Sequence, residues 1–108
     1  MSREERVARN EALFREVNEK IKKVNVAVEA PSEADFLCEC GDAGCTGPVS
    51  VTVGEYERVR RDPRHFLVIS GHVLPDVERV IAGNDRFSVV EKTDPEAVAV
   101  VVEEDPRS

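Results

Sequence analysis

All three cysteines of the chain fall within the run FLCECGDAGCTGP, Phe36 to Pro48. Cys38 and Cys40 are two apart, so in extended backbone their side chains leave from the same face. Gly41 and Gly44 permit the tight turn that carries Cys45 back toward them. Free cysteines are more often small buried hydrophobes, but those scatter over apolar positions. These three sit among Glu39, Gly41, Asp42 and Gly44, a polar, turn-forming setting that points to metal ligands. The small residues also leave backbone N–H groups free to donate to the sulfurs. Zn²⁺ takes four ligands in a closed structural site, so three sulfurs ask for one more, and histidine is the natural fourth. The chain offers only His65 and His72. His72 follows Gly71 just after an expected strand, in a loop from which its imidazole can reach the cysteines. His65 sits beside Arg64, a cationic setting that disfavours bound Zn²⁺. The expected set is therefore Cys38, Cys40, Cys45 and His72, with His65, Asp42 or a water as alternatives for the fourth position.

Composition narrows the setting in which such a site would work. With 108 residues, 41% of them hydrophobic and no Trp, the chain reads as one small domain with an aliphatic core, the kind that gains from a structural metal. The cysteine count is odd, no apolar segment follows the opening MSREERVARN, and no run of about 18 apolar residues occurs. These features predict a cytoplasmic, reduced protein in which clustered thiols bind metal or do redox chemistry. A net charge of −7 opposes attraction to a nucleic-acid backbone, and four Phe and one Tyr give little for bases to stack on. Arg58, Arg60, Arg61 and Arg64 form a local basic run that reads as a solvated helix end, with an anion or acidic partner as the alternative.

The elements that must position the cysteines follow from periodicity. Ser2 and Glu5 fit a capping box, and Val7, Phe14, Val17, Ile21, Val24 and Val28 recur at helical steps with Asn10 in the vacant slot. That series predicts a long amphipathic N-terminal helix over residues 1–30, closed by Pro31 and Ser32. Its apolar seam could cover the small sheet, or serve as an association surface with Asn10 fixing the register. A linker over 31–35 precedes a small domain over 36–93. FLCEC reads as a strand entering the metal knuckle, and PVSVTV, Pro48 to Val53, as the half-buried return strand of a hairpin. Thr52 and Glu55 form a second capping box opening a helix through EYERVRR, which Asp62 and Pro63 end. HFLVIS is the next strand. Pro75 with Val77, Val80 and Ile81 predicts a short helix that Gly83 and Asn84 stop. RFSVVEK is a further strand. The acidic tail over 94–108 starts like a helix at Asp94 and Pro95, while Val98 and Val100 to Val102 favour a strand.

Taken together, ARNEALFREVNE, FLCECGDAGCT, EYERVRRDPRHFLVISGH, VERVI and NDRFSVVEK resemble a group of short uncharacterised bacterial proteins common in actinobacteria. The likeness covers nearly the whole chain up to Asp94. It implies a cysteine cluster followed by a Gly-His pair, which favours His72 over His65, and it implies no particular activity. The predicted fold class is α+β: a long N-terminal helix followed by a small, zinc-stabilised, β-rich domain with two short helices. The leading functional expectation is a cytoplasmic zinc-binding interaction or regulatory module, with a protein partner or a homodimer through the N-terminal helix. A thiol-based redox or zinc sensor is the first alternative, and a nucleic-acid-binding zinc ribbon the second. Catalysis would need an open metal position with Glu39 or Asp42 as base. No Ser-His-Asp arrangement, P-loop or dinucleotide fingerprint supports it.

Overall fold

The computed structural model describes residues 2–27, 33–42, 44–45 and 47–107. Helix α1 runs from Arg3 to Ala27, with the Ser2 hydroxyl accepting the Glu5 N–H at 3.1 Å as the capping box predicts. The expected closure of α1 at Val28, Pro31 and Ser32 lies outside the described residues. Strands β1 (Glu33–Leu37) and β2 (Pro48–Thr52) pair antiparallel, with Phe36 opposite Val49. Residues 33–35, expected as linker, are thus already strand. Helix α2 (Val53–Val59) opens at Thr52 with the full capping box to Glu55. Strands β3 (His65–Val68), β4 (Glu78–Gly83) and β5 (Ser88–Lys92) form a second antiparallel sheet in the order β3-β5-β4. Helix α3 (Pro95–Glu103) closes the described fold against α1. The class is the expected α+β.

Two elements differ from the sequence reading. Pro75 does start a helical turn, with the Val77 and Glu78 N–H groups both reaching the Leu74 carbonyl, but the turn ends there. Val80 and Ile81 belong to β4, because pairing with β5 satisfies a whole ladder of backbone groups where a second helical turn would satisfy few. The valine-rich tail resolves as helix. The Asp94 carboxylate accepts the Ala97 N–H at 3.0 Å, Pro95 occupies the first turn, and Ala97 and Val101 are buried, so capping and packing overrule β propensity. The two short helices are therefore α2 and α3.

The orientation of α1 overturns the larger expectation. Its inward face is Ala8, Glu11, Ala12, Arg15, Asn18 and Glu19; of the expected seam Ile21 is half-buried and packs against the core, whereas Val17 and Val24, with Leu13, are 40%, 61% and 54% exposed. Asn10 is not a seam residue, because its amide donates to the Gly41 carbonyl at 3.1 Å. Polar groups inside need partners, and most of these have them, although Arg15 Nε, one Arg60 Nη and the Tyr56 hydroxyl are buried without a hydrogen bond. The Arg15 guanidinium lies 3.8 Å above the centre of the Phe66 ring and donates to the Pro63 and His65 carbonyls. Glu19 holds Arg60 and Arg107, and Asp105 takes the other side of Arg60 at 2.5 Å. Arg60 is thus buried rather than part of a solvated helix end. Lys92 Nζ lies 2.5 Å from Glu11 Oε1 and 2.6 Å from Glu78 Oε1, with all three side chains fully buried. The apolar core lies between these contacts and includes the stacked Phe36 and Tyr56 rings, whose centres are 4.5 Å apart.

The Glu11–Lys92–Glu78 cluster holds two carboxyls against one ammonium. Burial pushes the Glu11 carboxyl up to about 8, with the Lys92 ammonium pulling the other way. A value raised above the ordinary 4.5 means that the folded chain keeps a proton which the unfolded chain releases. The stability this contributes is complete below the unfolded value and is lost as pH rises through the folded one. Glu11→Gln keeps the shape and removes the titration. It should match the parent chain at about pH 5 and exceed it above pH 8 by roughly 2 to 4 kcal/mol. Urea midpoints across a pH series check this, and parallel profiles for the two chains would contradict it.

Candidate metal centre

The chain leaves β1 at Leu37 and stays extended through Glu39, held by two ladder-like bonds. The Cys38 N–H donates to the Gly47 carbonyl at 3.0 Å and the Glu39 N–H to the Leu67 carbonyl at 2.8 Å. This extension lies alongside β3 and so links the two sheets. Strand alternation puts Cys38 and Cys40 on one side and Glu39 on the other. Gly41 then turns the chain at φ +80°, where an added Cβ would stand 2.8 Å from Val7 and Glu11 side-chain atoms. The residue must be glycine both for the conformation and for the close approach of α1. The Asp42 carbonyl and carboxylate accept the Cys45 and Gly44 N–H groups at 2.9 and 2.8 Å, and these bonds fold Cys45 back.

The fourth group arrives from the far end of β3. After Val68 the Ile69 N–H donates to Cys38 Sγ at 3.2 Å, and a turn closed by the His72 N–H on the Ile69 carbonyl aims the imidazole at the sulfurs. His72 Nδ1 lies 3.7 Å from both Cys38 Sγ and Cys45 Sγ. One ligand atom from each of Cys38, Cys40, Cys45 and His72 falls within 4.8 Å of the other three. Ligand bonds of roughly 2.3 Å to sulfur and 2.0–2.1 Å to nitrogen at tetrahedral angles put S and N about 3.6 Å apart, so the spacing fits a four-coordinate ion. The structure thus brings together the four residues expected from sequence.

The other residues weighed as ligands stand differently. Asp42 has one carboxylate oxygen committed to the loop, as above, and lies beside Cys40 and His72 along a shallow cleft. His65 belongs to a second group with Asp62 and Glu91, its Nε2 lying 2.9 Å from Glu91 Oε2. Cations of the protein itself already occupy that group. Arg64 bonds Asp62 at 2.7 Å and Arg79 bonds Glu91 at 2.8 Å. Glu39, considered as a general base, points away from the thiols. Fully buried, it accepts from the Leu67 N–H at 2.9 Å and the Asn18 amide at 2.8 Å.

Electrostatics favour a bound cation among the thiols. Burial pushes the Cys38 thiol up, and the neighbouring Cys40 and Cys45 add to the effect, while the Ile69 N–H opposes it. Burial also raises Cys40. Three crowded thiolates are therefore costly by themselves, and a divalent cation reverses that balance by displacing their protons. Burial pushes the Glu39 carboxyl up as well, with the Arg15 guanidinium, the Leu67 N–H and the Asn18 amide pulling it back. Sequence reasoning gave no structural role to Glu39, Asn18 or Arg15. The one available signal was the alternation of C-E-C, which forces Glu39 to the inner side.

Compared with known protein families, with curated proteins and with solved structures, the chain finds no match. Among the described residues no helix is long and apolar enough to cross a membrane.

Two outcomes follow from this geometry. His72→Ala should weaken metal affinity by roughly two orders of magnitude or more, while His65→Ala leaves it unchanged, as a competitive chelator titration reads directly. Glu39→Ala should destabilise the fold by ~2–4 kcal/mol, because it leaves the Leu67 N–H without its acceptor and the Asn18 amide with one partner fewer in the interior. Glu39→Gln, which keeps an acceptor for Leu67, should lose less; equal melting temperatures for the two variants would contradict this account.

Proposed function

We infer that Cys38, Cys40, Cys45 and His72 hold a structural Zn²⁺ and that the chain is a metal-stapled protein-interaction module. The observation that carries this reading is the convergence of those four ligand atoms within 4.8 Å. Three sulfurs and one imidazole in tetrahedral spacing are the donor set that Zn²⁺ takes in closed structural sites. Bound there, the ion ties the loop between β1 and β2 to the turn after β3. It thereby joins the two sheets at the edge of the core, against Ile69 and Val73, and its binding energy becomes folding energy.

The interaction part of the reading rests on α1. Leu13, Val17 and Val24 line its outward face over three turns, and no Asp or Glu interrupts them on that line. The occupant favoured is a second copy of the same helix, antiparallel about a two-fold axis. Leu13 then meets Val24 of the second copy, Val17 packs on the aliphatic stem of Lys20 of the second copy, and Glu16 lies near Lys20 and Lys23 of the second copy, so the charge pattern and the ends of the apolar line are self-complementary.

The protein purified under reducing conditions should carry about one Zn²⁺ per chain, counted by atomic emission. Chelation should lower its melting temperature by ~10 °C or more, as the loss of a ligand bound only by the folded state requires. In light scattering the parent chain should be a dimer, and Leu13→Asp with Val17→Asp a monomer that still binds zinc. A metal-free chain with unchanged melting would refute the site, and a monomer at high concentration would refute the helix pairing.

A further inference from the structure

We propose that the metal centre is an exchange site, from which zinc passes to external thiols, the first entering on the His72 side, with neutral and cationic thiols preferred over anionic ones. The proposal rests on the metal-site reading above and adds the route and the chemistry by which the ion leaves. Its basis is the inequality of the four ligands.

Cys38 and Cys40 are buried and locked. Ile69 donates to the Cys38 sulfur, Gly47 fixes the Cys38 backbone, and Glu39 between the two cysteines is pinned to β3 and α1. His72 is exposed and Cys45 half-buried. The backbone of His72 hangs on the single turn bond to Ile69 and follows Gly71, which sits at φ +92° with no atom within 4 Å of where a Cβ would be. Metal-bound histidines usually donate their second ring N–H to a carbonyl or carboxylate that fixes the ring. Among the described residues His72 Nε2 has no such partner. Among the described residues, hydrogen-bond-range contacts to the imidazole come only from the Cys38 and Cys45 sulfurs.

Beside this loosely held ligand the surface opens into a cleft of about 200 Å³, lined by Cys40, Asp42, His72, Val73 and Leu74. An incoming sulfur can therefore approach the ion next to His72 while the two inner cysteines stay in place. In the exchange the bond from Nδ1 to the ion would break as the bond from the entering sulfur forms, and the proton of the entering thiol would pass to the vacated Nδ1. Departure of the ion would then need the same replacement at Cys45 and, last, at Cys38 and Cys40, each cysteine sulfur taking the proton of the thiol that displaces it, so charge and atoms balance and no oxidant is consumed. Asp42 stands at the mouth of the cleft on a chain of net charge −7, and this field repels anions.

The test uses the full, zinc-loaded chain, reduced and under anaerobic conditions, with pyridylazoresorcinol reporting zinc released by three thiol probes: cationic cysteamine, neutral mercaptoethanol and anionic mercaptoacetate. The release rate should rise in proportion to thiol concentration. Cysteamine should exceed mercaptoacetate by about tenfold, and raised salt should compress that ratio. Asp42→Asn keeps the acceptor for Gly44 and should narrow the ratio severalfold. Leu74→Trp, which fills the cleft, should slow release severalfold at unchanged zinc affinity. A rate independent of thiol concentration, or a cysteamine-to-mercaptoacetate ratio that Asp42→Asn leaves unchanged, overturns the exchange proposal even if Leu74→Trp fails to fold. A chain that holds no zinc before any thiol is added instead overturns the metal-site reading beneath it.

Discussion

A single buried carboxylate sets the terms for the rest of this structure. Glu39 lies between two cysteines on an extended segment, so the alternation that presents Cys38 and Cys40 to one side drives Glu39 into the interior. There it must be satisfied or it costs several kcal/mol. Its partners come from different parts of the fold: the backbone of Leu67 in β3 and the side chain of Asn18 in α1, with the charge of Arg15 nearby. Asn18 in turn bonds the Leu37 carbonyl and N–H. The helix, the knuckle and the second sheet are thereby registered against one another through one residue. Placing His72 near the cysteines depends on that registration, since β3 carries the turn from which His72 extends.

The same logic explains why α1 turns a polar face inward. Burying Glu11, Arg15, Asn18 and Glu19 contributes less to stability than burying leucines would, because desolvation offsets much of each ion pair. What the arrangement contributes is selectivity: an apolar seam can slide or rotate against a sheet, whereas Arg15 fits only above Phe66 with the Pro63 and His65 carbonyls in reach. The cost appears on the outside, where Leu13, Val17 and Val24 remain uncovered on a 108-residue chain with little other apolar surface to spare. The shape of α1 is thus set by its charges and its outward chemistry by its valines.

Legibility in the sequence followed the range of the interaction. The cysteine knuckle, the Ser2 cap, the Thr52–Glu55 capping box and the β1–β2 hairpin are governed by neighbours within a few residues, and residue type and spacing suffice for them. His72 was legible for a similar reason, being the histidine placed by a glycine directly after a strand. The face of α1 was not legible, because apolar periodicity at Val7, Phe14, Val17, Ile21 and Val24 outweighs a polar series at Glu11, Arg15, Asn18 and Glu19 whose partners lie dozens of residues away. Arg60 misled in the same manner, as its counter-charges Glu19 and Asp105 are 41 and 45 residues distant. In β4 a proline-started turn was extended into a helix, since nothing local shows that β5 waits to pair with Val80. In α3 the valines pointed one way and the Asp94 cap the other, and only burial of Ala97 and Val101 against the core decides between them.

The spacing of these contacts along the chain also orders events during synthesis. The cysteines and His72 are 27 to 34 residues apart, so the candidate ligands are all translated with the last third of the chain still to be made. Most of what seats α1 is translated by then as well: Asn18 has Glu39, Arg15 has the Pro63 and His65 carbonyls, and Glu19 has Arg60. The last partners to be made are Lys92, for Glu11, and Arg107, 88 residues beyond the Glu19 it clamps. The end of the chain therefore acts as a bolt thrown across a helix already seated, and the N-terminal helix receives its final counter-charges only when synthesis is nearly complete.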